Sequence, residues 1–128
     1  MDLPITSITA AILAAMITAM SLGVSLRRNR LQIAVGDGGD HDLKRRIRAH
    51  ANAIETVPLG LVLLLLVELA DFVSLFVWLV AGLLLAGRLA HAVGMYRMST
   101  PWRAAGMVMT HTSSLIAAGL LAWAWLMG

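Results

Sequence analysis

Residues Arg45 to Pro58 read R-R-I-R-A-H-A-N-A-I-E-T-V-P, and they run directly into the hydrocarbon stretch Leu59 to Leu69. At about 100° per residue, Arg48, Asn52 and Glu55 fall at i, i+4 and i+7 of a helix, one above another on a single stripe. Ordering a cation, an amide and an anion along one face just where a helix enters lipid is unfavourable on its own. The stripe therefore points to a polar ligand or to a partner helix.

The composition surrounding this stripe is that of a membrane protein. Of 128 residues 59% are hydrophobic and 13% charged, with a mean hydropathy of +0.82, well above the apolar fraction of about 45 to 50% in soluble domains. There is no cysteine, which excludes disulfides, thiolate metal sites and a protein thiol nucleophile. The formal charge of +3 does not argue for nucleic acid, because the basic residues sit in loops beside hydrophobic spans, where membrane orientation accounts for them.

Outward from the stripe the chain divides into four apolar spans, about 3–26, 47–69, 72–95 and 101–127, and the expected fold is an all-α integral membrane four-helix bundle. Residues 3–26 are long enough to cross a hydrocarbon core of about 30 Å at 1.5 Å per residue. With no basic segment ahead of them they read as an uncleaved span and not as a signal peptide. Arg27, Arg28 and Arg30 close this span, and Leu31 to Lys44, with G-D-G-G at Gly36 to Gly39, reads as a flexible, turn-rich connection. Pro58 should bend the second span, and Glu68 and Asp71 mark the turn into the third. Seven Lys or Arg residues lie between Arg27 and Arg48, Arg97 and Arg103 flank the last connection, and none flanks the 70–72 turn. By the positive-inside tendency both basic loops face the cytoplasm.

Small residues recur at i+4 spacing in three spans: Ala11, Ala15, Ala19, Gly23; Gly82, Ala86, Ala90, Gly94; and Gly106, Thr110, Ser114, Ala118, Ala122. Such ridges are expected to bring backbones close, the usual basis of helix association in lipid. Arg88 and His91 stand on a face turned largely away from the Gly82, Ala86, Ala90 ridge. Two readings stand side by side for this pair: a site, or an arginine reaching the headgroups beside a histidine that bonds a neighbouring helix. His111 reads as a packing histidine. The histidines at 41, 50, 91 and 111 form no H-x-x-x-H or H-E-x-x-H pattern, so no metal site is expected.

The fourth span opens with Ser99, Thr100, Pro101, Trp102, Arg103, in which Thr100 is the expected N-cap and Pro101 the first helical residue. Arg103 then lies in the first turn. A guanidinium beside the positive end of a helix dipole favours an anion, a thiolate included, although a basic residue at such a place also serves membrane topology alone.

The run Arg45, Arg48, Ala49, His50, Asn52, Glu55, Pro58, as R-x-x-R-A-H-x-N-x-x-E-x-x-P, resembles the signature of the membrane-associated proteins in eicosanoid and glutathione metabolism (MAPEG). The preceding G-D-G-G, the G-R-L-A-H of Gly87 to His91 and the P-W-R of Pro101 to Arg103 extend the likeness over nearly the whole chain. The resemblance implies a four-helix subunit, a homotrimer, and glutathione as cosubstrate held between adjacent subunits near the cytoplasmic face of the inner membrane. It further implies that Arg48, Asn52 and Glu55 bind the charged ends of the tripeptide, that Arg88 and His91 support them, and that Arg103 activates the thiol. One of Arg27 or Arg28 matches a basic residue at the end of the first helix. Where one branch of the family has a tyrosine this chain has Met95, with Tyr96 adjacent and rotated by about 100°; Tyr96 is placed with the binding residues on that basis.

Two functions follow. One is a glutathione-dependent enzyme acting on a lipophilic electrophile or peroxide that arrives through the bilayer. The other is a non-catalytic membrane trimer whose stripe is an intersubunit ion-pair network, with Glu55 paired to Arg88 or Arg48 of a neighbour.

Overall fold

A computed structural model describes residues 3–128. They form four helices, α1 (Pro4–Leu31), α2 (His41–Leu69), α3 (Ser74–Tyr96) and α4 (Thr100–Met127). Each contains an apolar window long enough to cross a membrane, with mean hydropathies of 1.9, 1.8, 1.8 and 1.3. The 28 residues of α1 make a rod of about 42 Å, longer than the roughly 30 Å hydrocarbon core. Arg27, Arg28 and Arg30 therefore ride on helical turns that overshoot the apolar stretch.

Local chemistry explains where the helices stop and start. Gln32 caps α1 in the left-handed conformation, at φ 54°. Gly38 and Gly39, at φ 56° and 80°, take the chain round the connection, where the Asp37 carboxylate accepts the Gly39 N–H at 3.0 Å. That connection is shorter than its composition suggests. Asp40 accepts the Leu43 N–H at 2.6 Å and starts α2 at His41, a side-chain cap placed within what reads as loop. At the other end of the bundle Asp71 makes the α2–α3 turn at φ 55°. Between α3 and α4 only residues 97–99 intervene. Met98 lies at φ 56° and the Ser99 N–H donates to the Gly94 carbonyl at 2.9 Å, a Schellman closure. The N-cap of α4 is Ser99, and not Thr100 as expected, because the Ser99 carbonyl already accepts the Arg103 N–H at 3.1 Å.

Glu68 does more than mark a turn. Its two carboxylate oxygens accept the N–H groups of Ile5 and Thr6 at 3.0 and 2.7 Å, so the last turn of α2 caps the first turn of α1, where Leu3 offers no side-chain cap of its own. Orphan donors at a helix start are thus satisfied from another helix.

The core lies in three layers along the bundle. Ile5, Leu64, Val67, Val77, Val80, Ala81 and Ala117 pack at the Glu68 end; Leu13, Val57 and Leu84 pack in the middle; Met20, Ala49, Ala53 and Met95 pack at the basic end. Helix α2 enters every layer, and the tightest seam is between α3 and α4. A Cβ on Gly94 would stand 2.5 Å from the Arg103 nitrogen, and one on Gly106 would meet the His91 nitrogen and, at 2.6 Å, the Gly87 carbonyl. The Ser113 hydroxyl bridges the same seam, donating to the Val80 carbonyl at 2.8 Å.

This seam corrects the small-residue reading. Ala11, Ala15, Ala19, Gly82, Ala86, Ala118 and Ala122 are exposed on the single chain. The close approach is made by Gly87 and Gly94 against Gly106 and Thr110. Arg88 and His91 do face away from Gly82 and Ala86, and that face is the buried one: they are 0% and 5% exposed, because burying Gly87 and Gly94 rotates the intervening turn into the bundle. His111, expected to pack, is exposed on α4, since Thr110 and Ser113 occupy the packed face.

Candidate functional site

Three helices converge on one pocket at the basic end. It has a volume of about 270 Å³ and is lined by Arg48 and Asn52 of α2, His91 and Met95 of α3, and Arg103 and Met107 of α4. A second hollow of about 200 Å³ shares His91, Arg103 and Met107 and adds Thr100 and Ala104, so the pocket continues over the first turns of α4. The glycine seam sets this geometry: because Gly94 and Gly106 bear no side chain, the first turn of α4 lies against α3, and Arg103 and His91 border the same space.

Behind the lining sits Arg88. Its Nη2 donates to the Asn52 carboxamide oxygen at 3.0 Å and lies 3.2 Å from His91 Nδ1. A guanidinium has only donors, so Nδ1 accepts, and the proton of the neutral imidazole is assigned to Nε2. The same contact orients the Asn52 amide, whose oxygen is taken by Arg88 and whose NH2 remains a donor. Nε and Nη1 of Arg88 are buried without a hydrogen-bond partner among the described residues. A wholly buried guanidinium with one amide and one imidazole is incompletely compensated. Its role here is to hold two pocket residues in one orientation.

Of the residues singled out from the sequence, Arg48, Asn52, His91 and Arg103 line this pocket, and Arg88 stands behind it. Glu55 does not line it. It is exposed on the adjacent turn of α2 and makes no ion pair among the described residues. Tyr96 also stands apart. Its ring is 5.5 Å below the Arg46 guanidinium, and Met95 takes the place in the pocket. Met95 and Met107 carry no sequence signal that distinguishes them from core methionines. Among the described residues no three His, Asp or Glu side chains are grouped as for a metal.

A second polar network, unanticipated from the sequence, clasps the ends of α1 and α2. Arg27 pairs with Asp40 at 2.9 Å and with Asp42 at 3.6 Å. Asp42 also pairs with Arg46 at 2.9 Å and with Arg45 at 3.0 Å. The Arg27 hydrogen bonds, followed by the Leu43 N–H, hold the Asp40 carboxyl below its ordinary pKa. The Arg46 hydrogen bond does the same for Asp42, against a smaller opposing effect of burial. The available signal was the pattern Asp40-x-Asp42 ahead of the amphipathic stretch from Leu43, which is N-terminal helix chemistry.

Four membrane-length helices around a rim pocket furnished with two arginines, an amide and a histidine define a polytopic membrane protein with a polar pocket at its basic end. The chain belongs to the MAPEG family, whose model matches residues 6–125. It is also similar to proteins called inner membrane protein YecN, from Escherichia coli strain K12 and from Escherichia coli O6:H1 strain CFT073. To each it is 33% identical over 112 residues, covering 88% of this chain and 86% of the relative.

Proposed function

We propose that this protein is a glutathione-dependent membrane enzyme in which the tripeptide occupies the Arg48, Asn52, His91, Arg103 pocket and Arg103 ionises its thiol. The observation that carries the reading is the convergence of side chains from three helices on that one pocket. Glutathione presents two carboxylates and an ammonium. Arg48 and the Asn52 amide suit the former, and Glu55, one turn along the exposed stripe, suits the latter. Lowering a thiol pKa by about two units requires roughly 2.7 kcal/mol, within reach of one close cation and a helix N-terminus in a partly dry site.

The thiolate adds to an electrophilic carbon of a lipophilic substrate, forming a C–S bond, and the displaced group or the new carbanion takes a proton. With a peroxide, the thiolate sulfur attacks the O–O bond, an alcohol leaves, and a second glutathione closes the disulfide with loss of water. Lipophilic substrates reach the pocket along the α4 hollow from the bilayer. The basic connections support a pocket at the cytoplasmic face, and the name of the YecN relatives supports an inner membrane location. Because Glu55 is exposed among Ile54, Leu59 and Val62, a second copy of the chain is its natural neighbour, in keeping with a homotrimer that closes the site.

Titration of purified protein in detergent with glutathione, by calorimetry and thermal shift, tests this reading. Wild type should bind and show thiolate absorbance; Arg103→Ala should bind and lose the absorbance. No thermal shift and no glutathione-dependent turnover of a general electrophile would sink it. Glu55, exposed and without an ion pair among the described residues, also favours the non-catalytic reading, an intersubunit ion pair. In that case Glu55→Gln dissociates the assembly without any ligand present, and an intact oligomer with unchanged melting counts against it.

A further inference from the structure

A second pocket, of about 140 Å³, opens between α1 and α2 and is lined by Gly23, Leu26, Arg27, Arg30 and Arg46. It is separate from the first. Arg46 and Arg48 are two residues apart on α2, hence about 200° apart around its axis, and the two pockets share no lining residue. Three guanidinium groups around so small a space repel one another unless something offsets them. Asp40 and Asp42 do so in part, but neither lines the pocket; each is engaged with a guanidinium from beside it. Arg27, Arg45 and Arg46 pair with these two carboxylates and Arg30 lines the pocket beside them, so four arginines stand against two carboxylates, an excess of two positive charges.

The free donors can be counted. Arg27 gives Nε and Nη2 to Asp40 at 3.4 and 2.9 Å, leaving Nη1. Arg46 gives Nε to Asp42 at 2.9 Å, leaving both Nη atoms. Its plane is steadied over the Tyr96 ring, and its Nη1 lies 3.5 Å from where a Gly23 Cβ would be, an ordinary contact distance. Arg30 has no side-chain partner among the described residues. Below the arginines, Leu26 and Leu22, one turn apart on α1, are 59% and 57% exposed. Cationic donors above an outward apolar strip match an amphiphile with an anionic head and hydrocarbon tails.

We propose that Arg27, Arg30 and Arg46 bind the phosphate diester of an anionic phospholipid in the leaflet at the basic end, with its acyl chains along Leu22 and Leu26. The second arginine-rich pocket is then a lipid site, and the occupied site braces the α1–α2 clasp.

Melting of the full chain in detergent, with dioleoyl phosphatidylglycerol, dioleoyl phosphatidylcholine or inorganic phosphate added, provides the test, together with native mass spectrometry to count retained lipids. Phosphatidylglycerol should raise the melting temperature above the phosphatidylcholine value, and Arg30→Gln should weaken its binding about fivefold, the effect of about 1 kcal/mol per interfacial basic residue. Arg97→Gln, an exposed arginine outside the pocket, should leave binding unchanged. No preference for phosphatidylglycerol overturns the proposal. So does equal weakening by Arg30→Gln and Arg97→Gln, which would mean diffuse surface attraction. A full shift with inorganic phosphate overturns the assignment to lipid.

Discussion

Polar groups are handled by opposite rules on the two sides of α2. On one side Arg88 is wholly buried, and its partners are one carboxamide oxygen and one imidazole nitrogen. On the other, Arg27, Asp40, Asp42, Arg45 and Arg46 form several ion pairs, with side chains 25 to 34% exposed. The buried cation has no counter-ion among the described residues, so each of its few partners matters. In the clasp the side chains are partly exposed and the pairs share partners, so no single bond does. The first arrangement fixes the shape of a pocket, and the second fastens a connection.

The largest break in this contrast should come from the wall that buries Arg88. Gly106→Ala places a methyl against the His91 nitrogen and the Gly87 carbonyl. It should destabilise the fold by about 3 kcal/mol in detergent denaturation and disturb His91 with it. Gly82→Ala, which meets nothing within 4 Å, should be neutral or slightly stabilising. Next in size is Asn52→Leu, which leaves the buried guanidinium without its oxygen acceptor and should cost about 2 to 3 kcal/mol. Arg88→Met removes the charge itself and should cost less than Asn52→Leu. The reverse order would show that Arg88 is not dry.

Smaller effects are expected where water can replace a partner. Glu68→Ala uncaps α1 from across the bundle and should cost about 1 kcal/mol, with faster hydrogen exchange at the Ile5 and Thr6 amides. The clasp is the weakest and is sensitive to pH. Asp40 and Asp42 have folded-state pKa values below their unfolded values, so their contribution is present above an unfolded value of about 3.9 and is lost as pH falls through the depressed folded values. The melting temperature should drop in that acid window, and Asp40→Asn should shrink the drop. Added salt should lower the clasp's contribution while leaving the effect of Asn52→Leu unchanged.

The limits of reading the chain from its sequence follow the same division. Four spans were legible because about twenty consecutive apolar residues admit few alternatives in water or in lipid. The stripe of Arg48 and Asn52 was legible because both lie on one helix, where spacing alone sets direction. Arg103 was legible from the Thr100-Pro101 punctuation, even though the cap proved to be Ser99. Met95 and Met107 were not, because an apolar side chain lining a pocket has the same pattern as one lining a core. Nor was the burial of Arg88. Periodicity describes which residues share a face, and not which face another helix will cover.

By itself, then, the amino-acid order determined a helical membrane protein with a basic end, the position of its polar stripe, and its kinship with the MAPEG family. The first two depend on hydropathy and on angular spacing within single helices, both local quantities, and the third on the identities of the motif residues. The tertiary structure alone decided that Gly87, Gly94 and Gly106 would form the seam, that Arg88 would lie behind Asn52 and His91, and that Glu68 would cap a helix 62 residues earlier in the chain. Each of these depends on the rotation of one helix about its own axis against another. That rotation is set by the sum of many weak contacts across the bundle, which no single segment of sequence records.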